Sequence, residues 1–503
     1  MSEKSEVHHQ DVPMSEAQIG VATDDELELA EALRNYVPGT DAEKKLLRKI
    51  DMRLIPCLWV MYILNYVDRT NIGNAKIAGM AHDLGLDDNR YSLALSLFFI
   101  TYLLMEVPSN MILSRSKPSL YLPGIMLLWG SLATAMGGTP NFGGLVAFRL
   151  VLGGIESGFF PGVLFLLSCW YKPAEIGKRF AIFYSAAVLS GAFGGLLAGA
   201  ITGGLAGVGG LAAWRWLFII EGVSTVVVAI IAKFILLDFP ETSKSLSQEE
   251  RLLAKVRILH AGLESGSNDP ENRLTHWQAF IAACSDYRTW AFMLLFVLDV
   301  GAGTISYFIP SITHTLGYPT TIAQYMTIPV YMVAAIVLNC VAFSADRFQE
   351  RRWHVTAALS LGCVAGIVCA TVQHPKVRYA MLCFVAAGIW TALPLILAWI
   401  TSTINLPAEK RAICIAMINA VGNLSSVYGS YLWPSTTAPH YTLGWSVTAA
   451  FLGAGAILAA LLPVLFKAVP HKITEAERIL AERKEARGTS AIQENVKHMI
   501  GEA

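Results

Sequence analysis

Charged residues are scarce in this sequence. Asp, Glu, Lys and Arg make up 15% of its 503 residues, whereas a soluble globular protein has about 25%. The shortage is concentrated in apolar stretches of about twenty residues, the length that an α-helix needs to cross the hydrocarbon core of a bilayer. The composition therefore predicts an all-α membrane protein rather than an ordinary soluble domain.

Other absences exclude whole classes of function. The formal net charge is zero, which gives no electrostatic basis for nucleic-acid binding. The sequence has no phosphate-binding loop of the G-x-x-x-x-G-K-[ST] type and no H-E-x-x-H or G-x-S-x-G element. None of the eight cysteines forms a C-x-x-C pair, which argues against a zinc site or a disulfide framework. We therefore expect neither an enzyme nor an ATP-driven pump, and no cofactor or metal.

The apolar stretches define the organisation of the chain. They form two groups of six, joined by a polar segment at 237–288 in which KSLSQEERLLAKVRIL is typical of an amphipathic helix behind a Ser N-cap. The expected divisions are a polar tail at 1–50, halves at 51–236 and 289–467, and a second tail at 468–503. The first tail lacks an apolar signal-peptide core. The stretches lie near 54–78, 91–112, 119–136, 143–169, 178–205, 214–236, 289–312, 321–343, 354–372, 377–403, 411–433 and 442–467.

The connections between these stretches alternate in their Lys and Arg content. By the positive-inside rule, the basic connections place both termini and the central loop in the cytoplasm, for which we expect a plasma-membrane location. Two six-helix halves joined in this way are the pattern of the major facilitator fold, whose pseudo-symmetric halves hold the substrate between them. We expect a monomer. The basic positions include Arg115, Lys117, Lys172, Lys178, Arg179, Arg347, Arg351, Arg352, Lys410 and Arg411.

Four charged residues lie inside predicted membrane helices of the first half. Asp68 and Arg69 are adjacent in the first helix, while Arg149 and Glu156 are seven residues apart in the fourth and so share a helix face. A charge at the bilayer centre costs about 2.5–3.5 kcal/mol, so such residues are functional candidates. If both helices line the cavity, two carboxylates and two guanidiniums meet there. Static salt bridges between helices are the alternative.

The two residue types predict different roles. A guanidinium stays charged when buried and binds a carboxylate through two parallel hydrogen bonds, so Arg69 and Arg149 are candidate anion-binding residues. The protonation of a buried carboxylate responds to neighbouring charge, so Asp68 and Glu156 are candidate proton carriers.

Glycine recurs at every fourth position of the fifth apolar stretch, at Gly191, Gly195, Gly199, Gly203 and Gly207. This spacing lines glycines along one helix face and favours close packing of another helix against it. The contact is either one that slides during transport or a static one.

Further polar and aromatic residues extend the candidate site. A midplane site that mixes aromatic rings and amides suits an organic acid. Glu106 and Asp299, inside membrane helices, and the pair Asp346–Arg347 in the eighth connection are assigned gating or structural roles. The candidate substrate-binding residues besides the arginines are Tyr66, Trp399, Asn419 and Asn423.

Several motifs resemble one known family. The first-helix pattern Asn-Tyr-x-Asp-Arg-x-Asn at 65–71 and the Arg149…Glu156 pair resemble the anion:cation symporter family of the major facilitator superfamily. Four further segments of this sequence resemble the fungal allantoate permease branch of that family: EVPSN, WRWLFIIEG, KRAICIAMINAVGN and YLWP. The resemblance implies that Asp68 and Glu156 bind protons and that Arg69 and Arg149 bind the anion. Three segments differ from the superfamily pattern. The glycine-rich signature of the second-to-third connection is reduced to LSRSKP, and the arginine pair after Asp346–Arg347 lies one residue further on than expected. The segment AWITSTINLPAEKR lacks the paired asparagines expected before KR.

These patterns predict a secondary active transporter, and specifically the symport of protons with a small organic anion of carboxylate, vitamin or ureide type. Export of a secondary metabolite is the alternative, because the same fold and the same carboxylates serve both directions. A nutrient sensor built on a transporter scaffold is less favoured, since only the short segment 468–503 follows the last helix. The expected partners are the anion, protons and the lipid bilayer.

Overall fold

The computed structural model describes residues 24–113, 116–240, 242–264, 274–404, 407–470, 472–480 and 482; Arg115, one of the basic loop residues, lies outside them. Twelve helices in this part of the chain are long and apolar enough to cross a membrane, as predicted. We label them α1 (Asp41–Asp83), α2 (Asp88–Leu113), α3 (Pro118–Met136), α4 (Phe142–Trp170), α5 (Glu175–Gly204), α6 (Ala213–Ile235), α7 (Tyr287–Tyr307), α8 (Thr320–Phe348), α9 (Arg352–Thr371), α10 (Pro375–Thr403), α11 (Glu409–Gly429) and α12 (Thr442–Ala468).

Shorter helices lie between and beside these spans. They comprise Asp24–Arg34, Gln248–Glu264, His276–Ser285 and Ile309–Thr315, with 3-10 turns at Val208–Gly210 and Ser435–Thr437. The amphipathic helix predicted in the central segment is Gln248–Glu264, and Ser247 Oγ accepts a hydrogen bond from the backbone N–H of Glu250 at 3.2 Å, as an N-cap does.

Some of the long helices are interrupted where the site lies. The α1 helix passes into a π-helical turn at Lys76–Met80, where Gly79 has a φ of 109° that favours glycine. The α4 helix breaks between Glu156 and Phe159, and α7 ends in a 3-10 turn at Thr304–Tyr307. Such interruptions are tolerated at membrane depth where the backbone lines a cavity or is buried in protein.

The two halves repeat one packing pattern. In the first half, α1 packs on α5 and α6, α2 on α4, and α3 on α6; in the second half, α7 packs on α11 and α12, α8 on α10, and α9 on α12. Each pair in one half matches the pair six helices later in the other. The predicted fold class, two pseudo-symmetric six-helix halves, is therefore confirmed.

The halves meet along α2 with α11 and along α5 with α8. We call the end of the bundle that carries the helices Asp24–Arg34 and Gln248–Glu264 the terminal end, and the opposite end the distal end. Several hydrogen bonds between described residues join the halves toward the distal end. They are Tyr91–Tyr307, Ser92–Ser430, Ser96–Val427, Asn74–Gln324 and Asp88–Ser435. In this structure the two halves are therefore in hydrogen-bonded contact at the distal end.

The predicted glycine face of α5 forms part of this contact. A Cβ on Gly203 would lie 3.1 Å from Thr321, and Gly191, Gly195 and Gly199 face Tyr331, Thr327 and Tyr325 of α8 even more closely. Gly207 lies beyond the helix, with a φ of 82°. Small residues let the two helix backbones approach, which explains the spacing.

At the terminal end, charged residues hold each half to its flanking segment. Arg257 of the helix Gln248–Glu264 is fully buried and donates to Glu43 at 2.6 Å and to Glu175 at 2.7 Å. In the second half, Lys410 bonds Asp286 and Glu477, each at 2.9 Å. Both clusters join parts of the same half to neighbouring segments and do not bridge the two halves.

Candidate functional site

A cavity lies between the halves. Helices α1, α2, α4 and α5 of the first half and α7, α10 and α11 of the second half contribute to its wall. Its polar and aromatic lining comprises Tyr62, Tyr66, Arg69, Thr70, Phe99, Tyr102, Phe160, Tyr184, Phe296, Asp299, Thr304, Ser306, Tyr307, Trp390, Asn419, Asn423 and Ser426.

Helix α1 presents one face to this cavity. Tyr62, Tyr66, Arg69 and Thr70 all line it, and their spacing of four, three and one places them within a narrow arc of a helix with 3.6 residues per turn. Asp68 lies about 100° from Arg69 around the same helix and is not part of the lining. The adjacent acid and arginine therefore face different surroundings.

Arg69 pairs with Glu156 in the cavity wall. Its Nε and Nη2 atoms donate to the same oxygen, Oε1, at 2.8 and 2.5 Å. The guanidinium lies 5.1 Å from the ring centroid of Tyr66 and 4.9 Å from that of Tyr102. Glu156 has no exposed surface, while Arg69 keeps 8% of its surface exposed. The pair thus presents the arginine, rather than the acid, to the cavity.

Arg149 is more deeply buried and does not line the cavity. It has no exposed surface, its guanidinium stacks 4.4 Å from the ring centroid of Phe98, and Nε makes a long hydrogen bond of 3.5 Å to the carbonyl of Ala94. Its Nη1 and Nη2 atoms have no hydrogen-bond partner among the described residues. The shared face of Arg149 and Glu156 therefore gives no direct pair, because Glu156 bonds Arg69 of α1.

Asp68 lies in a separate pocket inside the first half, so the predicted meeting of two carboxylates and two guanidiniums in the cavity is wrong. Its Oδ2 atom accepts hydrogen bonds from Trp129 Nε1 of α3 at 3.1 Å and from Thr225 Oγ1 of α6 at 2.8 Å. Glu221, one turn before Thr225, is 1% exposed, and neither of its oxygens has a partner among the described residues. Helix rotation, set by the packing of α1 against α6, turns Asp68 away from the cavity.

The second half contributes an acid, two amides and aromatic rings. Asp299 of α7 lines the cavity together with Asn419 and Asn423 of α11. The ring centroid of Trp390, on α10, lies 6.2 Å from that of Tyr66, so these two rings face each other across the halves. Trp399 does not line the cavity; it packs against Phe292 at 5.4 Å between ring centroids.

The remaining predicted residues lie away from the lining. Glu106 is half-buried on α2. Asp346 and Arg347 are exposed at the terminal end of α8. The contacts there come from the following arginines, because Arg351 donates to the carbonyl of Ala398 at 2.6 Å and Arg352 to that of Ala460 at 2.5 Å.

Sequence reasoning missed several aromatic lining residues, including Tyr62, Tyr102, Phe160 and Tyr184. The four-residue step from Tyr62 to Tyr66 is a signal that could have found the first of them, since both precede Arg69 on one face. The other three lie on different helices, and no local pattern distinguishes a ring that faces the cavity from one that faces a neighbouring helix.

Solved structures share this fold at low sequence identity. The xylose transporter XylE from E. coli, in a partially occluded inward open conformation, matches with a TM-score of 0.61 and 16% identity over 84% of this chain and 98% of that chain. A bacterial homologue of the human lysosomal transporter Spinster, inward-facing and occupied, gives a TM-score of 0.58 and 16% identity over 85% and 96%.

Two similar proteins come from fungi. The MFS-type transporter cnsO of Penicillium expansum is 38% identical over 84% of this chain and 83% of its own length. The major facilitator-type transporter hxnP of Emericella nidulans is 33% identical over 81% and 82%. The model of the Major Facilitator Superfamily matches residues 58–430. The chain is therefore a membrane transporter that belongs to the Major Facilitator Superfamily.

Proposed function

We propose that this transporter carries a small organic anion together with protons, as members of the anion:cation symporter family do. The observation that carries the proposal is Arg69, a cavity-lining guanidinium that donates to the buried carboxylate of Glu156. A ligand carboxylate would compete with Glu156 for the same donors. The motifs at 65–71 and in α4 support the anion:cation symporter family and its fungal allantoate permease branch.

The charges on the first-half side of the cavity also favour an anion. Arg69 and Arg149 approach it from the first half, and Glu156 is the acid between them. Asp68 adds no negative charge at the cavity wall, because its carboxylate is directed toward Trp129 and Thr225. Two guanidiniums against one carboxylate leave an excess positive charge on the first-half side of the cavity, where a carboxylate substrate would bind, whereas Asp299 lies in the wall of the second half.

The Arg69–Glu156 pair supplies a means of coupling. Protonation of Glu156 would weaken its hold on Arg69 and free the planar donor edge for the substrate. Loss of the substrate would then restore the pair once the proton leaves. Asp68, in its own pocket, is a second proton carrier that acts within the first half rather than on the substrate directly.

The basic connections support a cytoplasmic terminal end. The halves are in hydrogen-bonded contact at the distal end, so we assign this structure to the state that exposes the cavity to the cytoplasm. Tags placed in 237–288 should then be inaccessible from outside intact cells, and labelling of such a tag by an impermeant reagent would reverse the assignment.

The test is uptake of labelled carboxylates into proteoliposomes that carry the purified protein. Accumulation should depend on an imposed pH gradient, and a proton-selective ionophore should abolish it. A membrane potential without a pH gradient serves as the control. Accumulation of a carboxylate that is unaffected by the ionophore would contradict proton coupling, and the absence of any carboxylate transport would contradict the substrate class.

A further inference from the structure

Asp299 is the one acid among the residues that line the cavity, and Arg69 is the one base. Asp299 is 1% exposed, and neither of its carboxylate oxygens has a hydrogen-bond partner among the described residues. It lies on α7 in the second half, whereas Arg69 lies on α1 in the first. The cavity therefore has a donor group in one wall and a separate acceptor group in the other.

An unpartnered carboxylate at this depth needs a physical reason. Burial of a charge without a partner is costly, and buried acids are usually paired with a base or with several donors. Asp299 has neither among the described residues, and the same is true of Glu221 in the first half, but Asp299 lines the cavity and Glu221 does not. The position of Asp299 in the cavity wall leaves its acceptor capacity to a ligand.

The surroundings of Asp299 suit a cationic group. Trp390, Tyr184, Tyr66 and Phe296 line the same cavity, and the faces of such rings attract ammonium groups, most strongly where water is excluded. Tyr184 Oη is likewise buried without a partner among the described residues. One cavity therefore holds both a carboxylate and aromatic faces, and both attract an organic cation.

We propose that Asp299 binds a positively charged nitrogen of the substrate, so that the transported compound is a carboxylate with a cationic group at its other end. The inference rests on the proposed function, because Arg69 has to bind the carboxylate. The substrate would then bridge the two halves, with its anionic end on α1 and its cationic end on α7. Asp299 becomes a specificity-determining residue rather than a static element of the helix bundle.

Pairs of probes with the same shape test this assignment. Trimethylammoniobutanoate and its all-carbon isostere differ in one atom, nitrogen against carbon, and so do para-trimethylammoniobenzoate and para-tert-butylbenzoate. Binding of each probe to the purified full-length protein is measured for the wild type, for Asp299→Asn and for a control, Asp87→Asn. Asp87 lies in the loop between α1 and α2, outside the cavity lining. Its Oδ1 atom accepts a hydrogen bond from the backbone N–H of Arg90, and asparagine retains this oxygen.

The ammonium member of at least one pair should bind the wild type about tenfold or more tightly than its isostere, because its positive charge is attracted by the Asp299 carboxylate and by the faces of the aromatic rings. Asp299→Asn should remove this preference and leave binding of the isostere unchanged, while Asp87→Asn should retain it. If Asp299→Asn does not fold, Asp299→Glu should keep the preference, because it keeps the charge.

Equal binding within both pairs in the wild type would overturn the role of Asp299 while leaving the anion site on Arg69 in place. A preference that survives in Asp299→Asn, or that is lost in Asp299→Glu, would overturn it too. Failure of every carboxylate probe to bind would instead contradict the proposed function itself, and this inference with it.

Discussion

Arg69 on α1 donates two hydrogen bonds to a single oxygen of Glu156 on α4, from Nε at 2.8 Å and from Nη2 at 2.5 Å. This geometry uses one edge of the guanidinium and one of the two carboxylate oxygens. A ligand carboxylate with the usual fork geometry would use the same edge. The proposed mechanism therefore makes Glu156 and the substrate alternative partners of one arginine.

Arg69→Lys should weaken substrate binding. Lysine keeps the positive charge but loses the planar pair of donors, and a hydrogen bond to a charged group contributes about 1.5–3 kcal/mol. The affinity for a transported carboxylate should therefore fall about 10- to 100-fold. Arg90→Lys is a matched control, since Arg90 is exposed and contacts the loop carbonyl of Gly85. Unchanged affinity in Arg69→Lys would remove Arg69 from the binding site. Arg149→Lys should have a smaller effect, because Arg149 does not line the cavity.

Asp68→Asn should abolish accumulation driven by a pH gradient while substrate exchange survives. The amide cannot gain or lose a proton, but its oxygen still accepts from Trp129 and Thr225, so we expect the variant to fold. Exchange and gradient-driven uptake are measured in the same proteoliposomes, at matched amounts of protein. Wild-type accumulation would exclude Asp68 as a proton carrier.

Glu156→Gln should also lose gradient-driven accumulation, but at a different structural cost. The substitution leaves Arg69 buried without a charged partner, and breaking a buried pair costs about 3–5 kcal/mol. A carboxylate substrate can replace the lost partner, so the thermal stability of this variant should depend on added substrate more strongly than that of the wild type. Equal substrate-induced stabilisation in the two proteins would contradict the competition between Glu156 and the ligand.

Gly73→Ala should disfavour the state seen here. A Cβ at this position of α1 would lie 2.6 Å from the carbonyl oxygen of Tyr307 on α7, so the distal contact between the halves could not close as observed. Gly194→Ala is the control, because the nearest atom to its Cβ would be 3.8 Å away. A cysteine introduced at Ser426, in the cavity wall, should react faster with an impermeant thiol reagent from the distal side in Gly73→Ala. Equal reaction rates would show that this contact does not control distal access.

The charged cluster at the terminal end of the second half should make stability depend on pH. Burial of Asp286 raises its pKa, but hydrogen bonds from Arg288 and Lys410 outweigh this and leave the pKa below its usual value. Because the folded pKa is depressed, the stabilisation is fully present above the unfolded pKa, about 4, and is lost as the pH falls further. The melting temperatures of wild type and Asp286→Asn should therefore differ at pH 7, and the difference should shrink progressively as the pH falls below about 4. A difference that persists in acid would assign the effect to packing.

The membrane-spanning segments can be read from the sequence because the thickness of the bilayer sets the length of each apolar stretch. Each span must contain enough consecutive apolar residues to cross the hydrocarbon core, so the positions and number of the twelve helices can be read locally. The buried charges are also visible locally, since an ionisable residue inside such a stretch stands out by its cost. The four-residue glycine spacing of α5 likewise predicted a close helix contact.

The partners of those charges were decided by tertiary packing alone. Asp68 and Arg69 are neighbours in sequence, yet the rotation of α1 directs the acid toward Trp129 and Thr225 and the arginine into the cavity. Glu156 bonds Arg69, 87 residues away, rather than Arg149 on its own helix. Helical periodicity gives the angle between two side chains on one helix, but the direction that each faces depends on which other helices pack around it. Only the assembled bundle brought Arg69 and Asp299, one from each half, into a single cavity.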